Sequence, residues 1–240
     1  MTAIAEIPIL TPRALDLLNE AIAPEDRQIL RDHLQSLKPI FAAFLCSDDQ
    51  DPDEDFALAS CKYVYPRLQV IFLLLTILKP DQLLQLVAAA SEAASEMLSQ
   101  HGWRLGADLE HLKKAWDTYV EIGNVLAQNL TKLTQLTSLP YGWLMASTRM
   151  DFSLTCTALY LEGELTIANP SRLRYACRAA HFQAVKVRAF LAEALFPSTG
   201  GIGKSQMLSH LFGSWADDDR VDEDLEKLYK SRLYSSPDPS

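Results

Sequence analysis

The sequence predicts a mainly α-helical protein: one multi-helix domain of seven to ten helices over residues 1–234, followed by a disordered tail, 235–240. Three observations carry this. Proline-led helix starts recur along the chain, apolar residues from Leu109 to Leu133 repeat at alternating spacings of three and four, and only 9 glycines occur in 240 residues. So few glycines suit long helices better than many tight turns. Hydrophobic residues make up 48% and charged residues 22%, the balance of a chain that buries a core.

Thr11-Pro12 opens the first helix, with a hydroxyl to cap it and proline at its first position. Ala23-Pro24-Glu25-Asp26 opens the second and places carboxylates where the helix dipole favours them. Its apolar positions are Ile29, Leu30, Leu34 and Leu37; Pro39, which cannot donate the helical hydrogen bond, kinks or restarts it. Residues 47–55, SDDQDPDED, alternate oxygen donors as a calcium loop does. The turn glycine and the closing bidentate glutamate are missing, so the segment reads as a solvated loop. Residues 56–78 form a helix in which Pro66 is a break or kink.

Pro80-Asp81 opens a helix to Gln100, and His101-Gly102 ends it, the glycine suiting a left-handed cap. Leu109, Leu112, Trp116, Tyr119, Gly123, Leu126, Leu130 and Leu133 then form a heptad seam on one long helix. Such a stripe must be covered, either by another helix of this chain or by a second copy, giving a homodimer through helix 109–133. Gly123 permits close backbone approach at about 1 kcal/mol of helix propensity.

Residues 138–143, SLPYGW, form a turn. Over 144–161 two readings compete. Phe152, Leu154 and Cys156 alternate with Ser153, Thr155 and Thr157, which is strand-like and suggests a small β-hairpin near 152–167 tipped by Glu162-Gly163-Glu164. The helical reading, which the neighbouring elements favour, uses Gly163 as a stop. Asn169-Pro170-Ser171 opens an amphipathic helix to about Leu195, with Leu173, Cys177, Ala180, Ala184, Val187, Leu191 and Ala194 on its apolar face. A loop at 197–203, a short helix at 206–212, an acidic stretch at 216–226 and a last helix at 221–234 complete the chain.

The formal net charge of −9 disfavours a general nucleic-acid coat, because phosphates must be neutralised by Lys and Arg. Cys46, Cys61, Cys156 and Cys177 form no C-x-x-C pair and read as reduced side chains. The N-terminus lacks a basic leader, and Val70 to Leu78 is about half the length of a membrane span. The expectation is a cytoplasmic protein with no membrane contact, no cofactor and no metal.

Two places carry candidate binding chemistry. In residues 198–205, STGGIGKS, Lys204 and Ser205 stand as they do at the end of a phosphate-binding P-loop. A P-loop follows a strand, however, and a helix precedes this one, so the string reads as a glycine linker or an anion-binding turn. On the 171–195 helix, Arg174, Arg178, His181 and Arg188 share one stripe, with Arg172 and Lys186 toward its other flank and Glu193 as the single acid. This reverses the sign of the chain locally and suits an acidic segment, either Asp217–Asp224 of this chain or a partner protein.

Arg174 and His181, with six residues between them, resemble the R-x(4–6)-H element of the HEPN ribonucleases, a helical class. The resemblance covers one helix. It implies an RNA-cleaving site in which Arg and His of paired subunits act together. Arg27/His33 and Arg104/His111 have the same loose spacing. No zincin pattern, Glu-x-x-His pair or nucleophile elbow occurs. The expected function is therefore a non-enzymatic protein-interaction or regulatory protein with a basic helix face and an acidic C-terminal segment. The alternative is a phosphate-, nucleotide- or RNA-binding protein.

Overall fold

The computed structural model describes residues 10–17, 22–48, 51–77, 79–128 and 141–195. The chain divides into two compact units, 1–191 and 192–240. Of the second unit only 192–195, the last turn of a helix, is among the described residues. The expected helices 206–212 and 221–234, the acidic stretch and the tail lie outside them, as do Lys204 and Ser205.

A six-residue turn of helix, α1 (Pro12–Leu17), is followed by six full helices: α2 (Pro24–Leu45), α3 (Pro52–Ile77), α4 (Pro80–His101), α5 (Leu109–Gln128), α6 (Tyr141–Leu161) and α7 (Pro170–Leu195). Among the described residues, these six are fewer than the seven to ten expected. Part of the reason is that α2 and α3 run through Pro39 and Pro66 without breaking. The carbonyls those prolines leave without a helical donor belong to Gln35 and Lys62, both exposed residues.

The helix starts follow the residues that announced them. Thr11 Oγ1 accepts from the backbone N–H of Ala14 at 3.1 Å, and Asn169 Oδ1 accepts from that of Ser171 at 2.9 Å. The acidic 47–55 segment supplies a cap: Asp51 Oδ1 accepts from the N–H groups of Asp53 and Glu54 at 2.9 and 3.3 Å. Past His101 the chain tightens into a 3-10 helix, Gly102–Asp108. Gly102 keeps a right-handed conformation there, contrary to the expected left-handed cap, and Gly106 is the residue at φ 56°.

The β-hairpin near 152–167 does not form; residues 141–161 are one helix. Gly163, at φ 79°, closes it in a Schellman arrangement, with Glu164 N–H donating to Leu159 O at 2.8 Å and Gly163 N–H to Tyr160 O at 3.1 Å. The two-residue alternation misleads because α6 is buried all round. Phe152, Leu154 and Cys156 are buried, and so are Ser153, Thr155 and Thr157. Of the hydroxyl residues on this helix, Ser147 bonds to Leu144 O and Thr157 to Leu154 O, which satisfies them inside the helix itself.

Around α6 sits an aromatic core. Phe152 lies 5.3 Å from Phe41 and 5.6 Å from Phe56 between ring centroids, and Tyr175 of α7 stacks 5.1 Å from Phe56. The heptad seam is covered inside the chain over its described part. Leu112, Trp116 and Tyr119 are buried, and Gly123 approaches α4 so closely that a Cβ there would lie 3.0 Å from Val87 Cγ2. A dimer built on these residues would have to displace α4; Leu130 and Leu133 lie outside the described residues. Among the described residues, no helix is long and apolar enough to cross a membrane.

Candidate functional site

The predicted basic face lies along α7, and the structure sorts its members. Arg174 and Arg178 are exposed, whereas His181 and Arg188 are half-buried. Arg178 Nε donates to Asp108 Oδ1 at 3.1 Å, with its side chain still 67% exposed. The His181 ring stands edge-on to His111, centroids 5.9 Å apart. Arg188 feels the charge of Glu121; burial holds the guanidinium below its usual range, and burial pushes the Glu121 carboxyl up. Asp108, the residue just before α5, and His111 and Glu121 on α5 thus stand in step with α7. From Arg178 to Arg188 the ladder spans about 15 Å along the helix axis, so its groups do not converge on one point.

Lys186 curls over the Phe182 ring at 4.1 Å. Arg172 is not on the surface at all. It is wholly buried, with Nη2 2.7 Å from Asp55 Oδ2 and the guanidinium 5.5 Å over the Phe44 ring. Spacing on the helix cannot distinguish this inward arginine from its solvated neighbours.

A second polar cluster, which the sequence reading did not single out, joins α3 to α6. Tyr63 Oη donates to Asp151 Oδ2 at 2.6 Å, and Arg67 Nε to the same oxygen at 3.2 Å. Arg67 also reaches Ser147 Oγ at 3.4 Å. Burial raises the Asp151 carboxyl, with Arg67 and the Tyr63 hydroxyl pulling it down; burial and then the Asp151 charge push Tyr63 well above its usual range. The legible clue was Asp151 itself, the single acid between Glu121 and Glu162 in an apolar stretch.

This cluster borders a cavity of about 40 Å³ whose other wall is apolar, including Leu30, Leu34 and Leu74. Asp151 and Thr155 supply its polar lining together with Tyr63 and Arg67. The space suits a water or two beside them. It is far smaller than the roughly 300–1,000 Å³ of a site that encloses a nucleotide-sized ligand. Arg67 and Asp151 neutralise each other, and the arrangement acts as a polar tie between two helices.

Among the described residues, no three His, Cys, Asp or Glu side chains gather as metal ligands would. No protein-family model, curated protein or solved structure matches this chain.

Proposed function

We propose that this chain is a non-enzymatic interaction protein that presents the α7 basic face to an acidic segment of a partner. The observation that carries this is the exposure of Arg174 and Arg178 on a chain whose net charge is −9. Arg178 remains two-thirds exposed beside Asp108, and an ion pair so open to water is worth only ~0–1 kcal/mol. An incoming carboxylate can therefore share or take over that guanidinium at small cost. The inner members of the face, Arg172 and Arg188, are held by the fold and support the helix from which the outer two project. Such a contact gains more in association rate and specificity than in raw affinity, and it weakens with salt.

A fluorescein-labelled glutamate-rich peptide provides the probe. Binding by anisotropy at low salt should weaken about tenfold in the Arg174→Glu/Arg178→Glu double variant, a loss of ~1.4 kcal/mol. The variant's melting temperature should fall only slightly, through loss of the open Arg178–Asp108 pair and the like charge set beside Asp108. Unchanged peptide binding in the double variant would remove the proposal. Tighter binding of tripolyphosphate or single-stranded RNA to the same arginines would replace it with the phosphate-binding reading.

A further inference from the structure

Helix α3 leaves one face uncovered. Leu58, Tyr65 and Phe72, spaced seven residues apart, are 55%, 70% and 42% exposed, and Cys61 beside them is exposed too. Residues seven apart lie within about 20° of one line on a helix, so these side chains form a stripe about 21 Å long. The opposite face of the same helix, with Phe56, Tyr63, Arg67 and Leu74, is the one the chain buries. From Phe56 to Pro80 there is no carboxylate, in a sequence that holds 31. Lys62 is the one charged residue among the exposed members of the stripe between Leu58 and Phe72.

We propose that this stripe pairs with the same stripe of a second copy, antiparallel about a two-fold axis at Tyr65, in a weak reversible dimer. A two-fold contact requires each residue to be answered by its mirror position. Here Leu58 meets Phe72 of the second copy, Phe72 meets its Leu58, and the two Tyr65 rings meet on the axis. Two chains of charge −9 repel, and this carboxylate-free face is where they approach without bringing acids together. Antiparallel pairing also separates the two Lys62 ammonium groups by about 9 Å along the axis and sets each toward a Tyr65 ring, whereas parallel pairing would place them side by side.

Tyr65 and Phe72 leave roughly 200 Å² of aromatic surface open per copy. Doubled across the axis and widened by Leu58, Cys61 and the flanking stems, the contact stays below the ~1,200 Å² of a standard stable interface, which sets its weak, concentration-dependent character.

Sedimentation velocity over a rising concentration series should show a monomer–dimer equilibrium whose dissociation constant increases at least about tenfold in Tyr65→Glu, and likewise in Leu58→Glu. Both positions are exposed, so the circular-dichroism melt of each variant serves as a folding control. Register is read by crosslinking in a Cys46→Ser background. Gln69→Cys stands opposite Cys61 of the second copy and should give an oxidised dimer. Within one chain those two positions lie about 12 Å apart along the helix, too far for a disulfide. Cys46→Ser alone should give none. A monomer at every concentration, a dimer indifferent to both glutamates, or a Cys61–Cys61 dimer without Gln69→Cys would each overturn the proposal.

Discussion

The wholly buried guanidinium of Arg172, at the start of α7, is held 2.7 Å from the carboxylate of Asp55 on α3, which is itself reached by the Ser47 hydroxyl at 2.7 Å. Breaking a buried pair leaves one charge uncompensated and costs ~3–5 kcal/mol, far more than the pair contributes relative to a packed apolar substitute. Asp55→Ala should therefore lower urea-denaturation stability by about 3 kcal/mol, because it leaves the wholly buried Arg172 guanidinium without its counter-charge, and Arg172→Met/Asp55→Leu should cost less than Asp55→Ala. The Ser47 hydrogen bond first, and then Arg172, hold the Asp55 carboxyl below its usual range against the effect of burial. A depressed carboxyl stabilises the fold above its unfolded pKa and loses that contribution as pH falls through the folded one. The wild type should accordingly lose more stability than Arg172→Met on acidification below the ordinary carboxylate range.

Asp151 should be the most sensitive polar position in α6. Asp151→Asn leaves Arg67 buried without its counter-charge, and a loss of roughly 3–5 kcal/mol is expected by chemical denaturation. Tyr63→Phe, which removes one hydrogen bond to the carboxylate, should cost about 1.5–3 kcal/mol. A loss below 1 kcal/mol for Asp151→Asn would mean that the cluster is solvated in solution.

Gly123 and Val87 set the separation of α4 and α5. A Cβ at 123 meets Val87 Cγ2 at 3.0 Å, so Gly123→Ala should be near neutral, its helix-propensity gain of about 1 kcal/mol offsetting the tight contact. Gly123→Leu should cost ~1–3 kcal/mol through overpacking, and Val87→Ala in the same chain should recover part of it. Additive losses in that double variant would show that the helices do not meet there.

Glu162, just past the end of α6, has its carboxyl pushed up to about 7, chiefly by burial and then by Glu164 and Asp16, although Thr11 and the Arg13 backbone N–H donate to it. A carboxyl raised on folding binds protons better in the native state. Stability therefore falls as pH rises from the unfolded value near 4.5 to about 7, and levels off above. Glu162→Gln should flatten that slope in melts between pH 4.5 and 7 and raise the melting temperature at pH 8. An unchanged slope would place Glu162 in water.

Local chemistry was readable wherever a residue acts on its own neighbours. Thr11, Asn169 and Gly163 start or stop helices through bonds within a few residues, whose partners sequence order alone fixes, and Pro24 starts one through its fixed φ. The seam through Leu112, Trp116 and Tyr119 was equally legible, since heptad spacing states that a face must be covered; the close approach of Val87 beside Gly123 was not. The strand-like alternation at 152–157 failed for a related reason. Periodicity reports a contrast between a wet and a dry side, and α6 has no wet side over residues 150–159.

By itself, then, the sequence determined the helical class, most of the helix ends, and the presence of a basic stripe from Arg174 to Arg188 in an acidic chain. Only the tertiary structure decided which arginines point inward. Arg172 and Arg174 are two residues apart, yet one is buried on Asp55 and the other is solvated. The physical reason is that a buried charge depends on a counter-charge far away in the chain, 117 positions for Arg172 and 84 for the Arg67–Asp151 pair, and local spacing carries no record of such a meeting.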